Sequence, residues 1–380
     1  MAANTLTRGR LRRLANVHPA RGRVLSVFMN LDPSEFATPA ARSSAITSIL
    51  REAARRVEEA DDLEHDERVA LKADVERVRE VLNGDIAGNA TRAVAVFACE
   101  PEELLEVVAL RQPIDSRVVL DDAPHVEPLV HAGAADRWCV LLVNRRLARL
   151  FTGPGDELEE TDRIEDDVHS QHEQGGWSQS RYQRGVEKEV EDHLGRAADV
   201  TFDLFKRRGF DRLLVGGPEE TVGDLEAKLH PYLQERLTGR VSSCDVETSS
   251  LDAVRGAAGE RIREFAQAHE REALDRLAQG VGSGGRGAAG LSDVLGALNE
   301  ARVEVLLVAR GLSAPGVCDP ATGLLYATPD DVPDGATATP VVDIVEKAIE
   351  KAIEQSAEVI GIRYHDDLGP LGGIGAVLRY

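Results

Sequence analysis

Gly175-Gly176-Trp177-Ser178-Gln179-Ser180-Arg181-Tyr182-Gln183-Arg184 stands directly before a long amphipathic stretch, and the middle of the chain is organised around it. Two adjacent glycines are costly to order, so they predict a mobile or closely approaching backbone rather than a packed element. The preceding residues, Asp166, Asp167, His169, His172 and Glu173, are polar and offer nothing to a core. Beyond the glycines, Tyr182, Val186, Val190, Leu194, Ala197, Thr201 and Phe205 fall on one stripe at helical spacing. Arg184, Lys188, Asp192, Arg196 and Asp203 face away from that stripe. Ser180 and Gln183 are spaced as a capping box, and Gly209 is placed to end the helix.

Outward from this helix the pattern is α/β. Trp138 to Val143 is a fully apolar strand, and Ala148 to Phe151 returns from it as a hairpin partner. Arg212 to Val215 reads as a buried strand, Thr221 to Leu237 as a helix and Val241 to Val246 as a closing strand. That βαβαβ alternation predicts a largely parallel sheet with crossover helices. Before this unit come strands at Val24 to Met29, Ala93 to Cys99, Glu106 to Leu110 and Arg117 to Leu120, with helices at Ala41 to Glu59 and Glu67 to Leu82. After it come helices at Leu251 to Leu277, Leu291 to Leu298 and Val341 to Ile353. Strands are expected at Val303 to Val308, Leu324 to Tyr326, Val359 to Arg363 and Ile374 to Arg379, and the glycines of Gly280 to Gly290 read as a flexible loop. The expected division is three domains, residues 1–132, 133–249 and 250–380.

The 380 residues are too many for one ordinary core, and 42% apolar with 29% charged content marks a globular chain. No apolar run approaches a membrane span, and the basic start, Met1 to Arg13, has no apolar segment behind it to act as a secretory signal. A cytoplasmic protein is expected. The net charge of −21 opposes general attraction to phosphate. Arginine is nevertheless dense in Met1 to Arg23 and in Arg181 to Arg184, so local contact with nucleic acid stays open.

Several candidates have bland readings. Cys99, Cys139, Cys244 and Cys318 lack zinc-site spacing and read as buried reduced thiols. Cys318-Asp319-Pro320-Ala321-Thr322-Gly323 is half a zinc hairpin without its second cysteine, so no metal is expected. His169 and His172 in a polar segment read as solvated side chains. Gly216-Gly217 after a strand lacks the phosphate-binding glycine pattern and reads as a tight turn. Arg145-Arg146 reads as a hairpin tip.

With the glycine pair, the glutamine, the arginines and the domain order in view, the chain resembles the archaeo-eukaryotic class 1 release factors. The likeness extends to their bacterial branch and to the Vms1-type peptidyl-tRNA hydrolases. Arg92 to Cys99 with Asp121 to Leu129 resembles the family's first domain, and Leu291 to Val308 resembles the L7Ae-like third domain. The ending, Pro370 to Tyr380, is similar to that of relatives of the hibernation factor Balon. The family's motif places glycine, glycine and glutamine side by side. Here Trp177 and Ser178 intervene, which is closer to the Vms1-type arrangement.

The resemblance implies an α/β, three-domain architecture with a mixed-sheet first domain, a βαβ-type middle domain carrying the glycine loop, and an L7Ae-like sandwich. It implies hydrolysis of the ester joining a nascent peptide to tRNA, in rescue of stalled ribosomes, or occupation of a vacant ribosomal A site without chemistry. Gly175, Gly176 and Gln179 would be the catalytic set, and Trp177, Arg181 and Arg184 the RNA contacts. The implied partners are the ribosome, through its large subunit and A site, with tRNA and rRNA; a translational GTPase is an open delivery partner. No cofactor, metal or membrane is implied. The link Asp61-Asp62-Leu63-Glu64-His65-Asp66 is short and acidic where a codon-reading loop would stand, so stop-codon dependence is not expected.

Overall fold

The computed structural model describes residues 4–36, 38–84, 91–110, 112–133, 136–155, 157–166, 179–282 and 285–380, with only the backbone described at 4, 5 and 179–184. Its contacts gather into two units, Met1–Ala134 with His269–Tyr380, and Ala135–Ala268. The architecture is mixed α/β with several sheets.

In the first unit, β1 (Asn4–Thr5), α1 (Arg8–Ala15), β2 (Val24–Asn30), α2 (Pro39–Glu59), α3 (His65–Asn83), β3 (Ala93–Cys99), β4 (Leu104–Leu110), β5 (Arg117–Asp121) and α4 (Glu127–Ala132) follow one another. The sheet order is β1-β4-β3-β2-β5. Strands β2 to β5 pair antiparallel, and β1 joins β4 in parallel. Every residue of β2 and β3 is buried because the sheet is covered on both faces. Leu25, Val27 and Met29 pack on Ile49, Leu50, Val75 and Val78 of α2 and α3. Val24 and Phe28, pointing the other way as strand period demands, enter a core shared with Leu306, Ile349 and Ile353. That shared core makes the two ends of the chain one body, which no local pattern in the sequence announces.

In the second unit, β6 (Arg137–Val143), β7 (Leu147–Pro154), β8 (Glu159–Glu165), α5 (Gln179–Arg208), β9 (Arg212–Gly216), α6 (Glu219–Lys228), α7 (Pro231–Gln234) and β10 (Leu237–Val241) build a sheet of order β10-β9-β6-β7-β8. Only the β6, β9 and β10 side is parallel; β7 and β8 are antiparallel, so the sheet is more mixed than the alternation suggests. Leu194, Ala197, Leu204 and Val222 of α5 and α6 cover one face. Trp138, Val140 and Leu142 meet Val254 and Ala258 of α8 (Leu251–Gly282) on the other.

Three expectations fail here for identifiable reasons. The helix Thr221 to Leu237 is broken, because Pro231 holds His230 extended at φ −59 and ψ 144 and starts a new turn. The closing strand therefore forms earlier, at Leu237–Val241 instead of Val241 to Val246. The polar stretch after β7 contains an edge strand, β8, whose charged, exposed side chains hide it from an apolar pattern search.

The chain then adds β11 (Gly287–Ala289), α9 (Leu291–Asn299), β12 (Val303–Val308), β13 (Gly316–Asp319), β14 (Leu324–Tyr326), β15 (Thr339–Val341), α10 (Ile344–Glu354), β16 (Glu358–Gly361) and β17 (Ile374–Leu378). These form sheets of order β11-β17-β12-β16 and β14-β13-β15. The stretch Gly280 to Gly290 is no plain linker. The helix runs to Gly282, β11 begins at Gly287, and a Cβ on Gly280 would sit 2.6 Å from the Arg286 carbonyl carbon. Those glycines let a helix end and a strand pass backbone to backbone. Val341 ends a strand; the helix starts after Asp343, whose carboxylate accepts from the Val345 N–H at 3.0 Å.

Gly216-Gly217 is a tight turn, as expected from sequence. Gly217 has φ +143, and a Cβ there would lie 1.9 Å from the Val143 carbonyl oxygen. Gly217→Ala is expected to destabilise the second unit by about 3 kcal/mol or more, through backbone strain and displacement of β6. Urea unfolding reads this directly, and an unmoved midpoint refutes it.

Candidate functional site

The sequence places its candidate residues between the end of β8 and the first two turns of α5. Asp166 follows β8, and its N–H donates to the Arg146 carbonyl at 2.8 Å, tying it to the β6–β7 hairpin tip. Its carboxylate faces α5. Oδ2 lies 2.6 Å from Nδ1 of fully buried His193, and Oδ1 accepts from Arg196 Nη1 at 2.7 Å. One carboxylate thus fastens the end of the edge strand to the helix, three turns and more from where that helix begins. At about 1.5 Å per residue, the helix start at Gln179 stands about 21 Å along the axis from His193.

Gly175, Gly176, Trp177, His169 and His172 lie outside the described residues. Gln179 is the first residue of α5, and Arg181 and Arg184 belong to its opening turns; their side chains, and the proposed Ser180–Gln183 capping box, are likewise outside what is described. The structure therefore places the backbone of Gln179, Arg181 and Arg184 in the first two turns of α5, and Trp177 and the glycine pair lie outside the described residues. At the other end, Gly209 adopts φ +65 and its N–H donates to the Phe205 carbonyl at 2.9 Å, closing the helix as the sequence predicts.

Sequence reading missed the Asp166–His193–Arg196 anchor. Asp166 belongs to an acidic run and His193 sits on the helix without a neighbour in sequence, so only the spatial pairing reveals them. His193 donates through Nδ1, and burial leaves it dependent on that carboxylate. Asp166→Ala is expected to cost about 1–3 kcal/mol by stranding a buried imidazole N–H. Arg196→Ala removes a partner with 56% side-chain exposure and should cost about 1 kcal/mol or less. Melting temperatures of the two variants check the contrast; equal shifts would refute the anchor.

The other candidates resolve as structural. Arg145 and Arg146 form the hairpin tip, and Arg146 makes a paired contact with Glu247 at 2.9 Å. Cys318 lies in the β13–β14 hairpin, where Asp319 accepts from the Ala321 N–H at 2.9 Å and from the Thr322 hydroxyl at 2.7 Å. Those bonds close the turn. Cys99, Cys139 and Cys244 are buried free thiols, while Cys318 is half-buried. Burial raises the pKa of each of the four. Among the described residues no cluster of three or more His, Cys, Asp or Glu could hold a metal ion, and no helix is long and apolar enough to cross a membrane.

Residues 124–279 match the model of bacterial archaeo-eukaryotic release factor family 10. The chain is release-factor-like. It is 24% identical over 320 residues to peptide chain release factor subunit 1-1 of Methanosarcina acetivorans, covering 76% of this chain and 77% of that protein. It is 26% identical over 212 residues to peptide chain release factor subunit 1 of Methanopyrus kandleri, covering 54% and 52%. Among solved structures it is similar to archaeal translation termination factor aRF1, with 18% identity, 99% coverage of both chains and a TM-score of 0.27. It is also similar to Dom34 of S. cerevisiae, a translation termination-like factor, with 10% identity, 78% and 76% coverage and a TM-score of 0.41. In this release-factor-like chain the matched span contains the glycine pair, Gln179, α5 and the Asp166 anchor.

Proposed function

We propose that the protein acts on the ribosome in the cytoplasm, hydrolysing the ester between a nascent peptide and tRNA without reading a codon. The match of residues 124–279 to the bacterial release-factor family carries this reading, because that span holds every residue the chemistry needs. The reaction is acyl transfer to water. A strong base is unnecessary when water is held in line and fixed donors stabilise the developing oxyanion. Gln179 orients the water. The amides at Gly175 and Gly176 line the ester, where the lack of a Cβ permits close approach to the tRNA end. Arg181 and Arg184 pair with RNA phosphates, and Trp177 stacks on a base.

The acidic link between α2 and α3 spans only residues 60–64, where Arg23 pairs with Asp62, which supports a reading without codon recognition. Peptide release from peptidyl-tRNA on stalled ribosomes, or on isolated large subunits, tests the reading. Absence of release from every such substrate would overturn it.

One observation favours occupation of a vacant A site without chemistry. Gln179 is the first residue of a helix and is separated from the glycine pair by Trp177 and Ser178, instead of standing beside it. Sedimentation of the protein with idle ribosomes from starved cells, with no peptide released, would select that second reading. Delivery by a translational GTPase is tested in the same fractions.

A further inference from the structure

At the far end of α5 a group of rings lies nearly parallel on the surface. Phe202 and His230 stack with centroids 3.9 Å apart and planes 12° apart. Tyr232 continues the set, 27° from His230 and 15° from Phe202. Protein aromatic pairs inside cores also meet edge to face, as Phe28 and Phe97 do here at 84°. The shared orientation of three rings at the surface therefore needs a local cause, and the turn supplies one.

Pro231 opens α7 and fixes its backbone, while the Tyr232 N–H donates to His230 Nδ1 at 3.4 Å. That bond holds the imidazole plane. Arg236 Nη1 donates to the Tyr232 carbonyl at 2.7 Å and lies 4.5 Å over the Phe205 ring. The platform is thus ordered before any ligand arrives, yet Tyr232 stays 55% exposed. An exposed, pre-ordered aromatic face leaves apolar area in water that a flat partner would cover.

The charge around the rings points to the partner. Lys206 lies 4.9 Å over the Phe202 ring with its side chain 55% exposed, and Arg207 and Arg208 continue the same turn. Residues 202–208 and 230–236 hold four cations, Lys206, Arg207, Arg208 and Arg236, against two anions, Asp203 and Glu235. Lys206 pairs with Asp203 at 2.7 Å and Arg207 stands 3.9 Å from Asp162, so part of that charge is shared. The excess is still cationic in a chain of net charge −21. Parallel rings beside cations match a base with its phosphate.

We propose that Tyr232, His230 and Phe202, flanked by Lys206, Arg207 and Arg208, form a stacking platform for an unpaired base of single-stranded RNA. The bond made is non-covalent: the base lies on Tyr232 and its phosphates meet the basic turn. The choice of RNA over DNA rests on the ribosome-directed reading above; the stacking site itself does not depend on ester hydrolysis.

Fluorescence anisotropy of the full chain with a labelled oligoadenylate of about ten nucleotides, at low salt, tests this. Tyr232→Ala is expected to weaken binding roughly tenfold and Tyr232→Phe to retain it. Lys206→Gln should lower affinity and flatten the salt dependence. An abasic strand of equal length should bind weakly and ignore Tyr232→Ala. Unchanged affinity in Tyr232→Ala, or an abasic strand bound as tightly as oligoadenylate, overturns the platform. A deoxyribose strand bound equally, with the same loss in Tyr232→Ala, overturns the assignment to RNA. Tyr232 is largely exposed, so its variants should fold, and melting temperature checks this. Peptide release is read separately with Gln179 variants, so loss of the hydrolytic reading leaves the binding result intact.

Discussion

Gln179→Ala should lower single-turnover peptide release by roughly 10²- to 10³-fold with little change in ribosome affinity. That range is what removal of one fixed polar group from a developing-charge site costs. The effect belongs to the chemical step because a water-orienting amide acts in the transition state more than in the bound ground state. A loss confined to half-saturation would instead mark Gln179 as a binding residue. Equal release by wild type and variant removes Gln179 from the reaction, and the displaced glutamine would then have no role in chemistry. Restoration of rate by Gln179→Asn is not expected, since shortening the side chain by one methylene moves the amide by over 1 Å.

The second large effect is acid destabilisation of the first unit. His125 stands just before α4 and His131 lies in its last turn, and both are buried. Burial, with the Arg117 charge nearby, lowers His125 to about 3. Burial, with Arg363, Arg310 and Arg117, lowers His131 to about 4. Both stay neutral in the folded protein, so the 3.4 Å contact of His125 with Glu346 is a polar contact and no ion pair. The unfolded histidines take up a proton below about 6.5 and the folded ones do not. The unfolded state then binds more protons, and stability falls as pH falls through that window. Between pH 7 and pH 5 each histidine removes about 2 kcal/mol.

Glu346 works in the opposite direction. It is buried on α10 and accepts from the Val126 N–H at 2.5 Å and the Glu127 N–H at 2.9 Å. Burial raises its carboxyl well above the usual range, with Glu350 adding to the rise. The folded state therefore gains a proton there as pH falls, which offsets part of the histidine loss. The His131→Gln variant isolates one histidine term. The stability difference between wild type and variant, by urea unfolding, should favour wild type by about 2 kcal/mol more at pH 7 than at pH 5. A difference that does not change with pH sinks the assignment.

Legibility followed the range of the interaction. The strands Ala93–Cys99 and Val303–Val308 and the long helix α5 were readable because each carries its own apolar period, and their observed bounds agree closely. Edge strand β8 was not readable, since its exposed charged residues earn their conformation from pairing with β7 alone. The helix Thr221 to Leu237 was over-read because apolar period outweighed Pro231 in the pattern, whereas the missing N–H and the restricted His230 decide locally. The C-terminal glycines serve the fold. Gly372 and Gly373 are left-handed, at φ +72 and +81, and a Cβ on Gly375 would lie 2.4 Å from Leu277.

By itself the sequence determined the α/β class, the long helix behind the glycine pair, the turn at Gly217 and the release-factor likeness, because these depend on neighbours a few residues apart or on residue order. The tertiary structure alone decided that Asp166 meets His193, that Glu346 meets the start of α4 and that Tyr232 stacks with His230 and Phe202. It also decided that the two ends of the chain share one core. Glu346 and Val126 are 220 positions apart. Contacts at such separation follow from burial of apolar faces against one another, and no period in a linear chain encodes which face finds which.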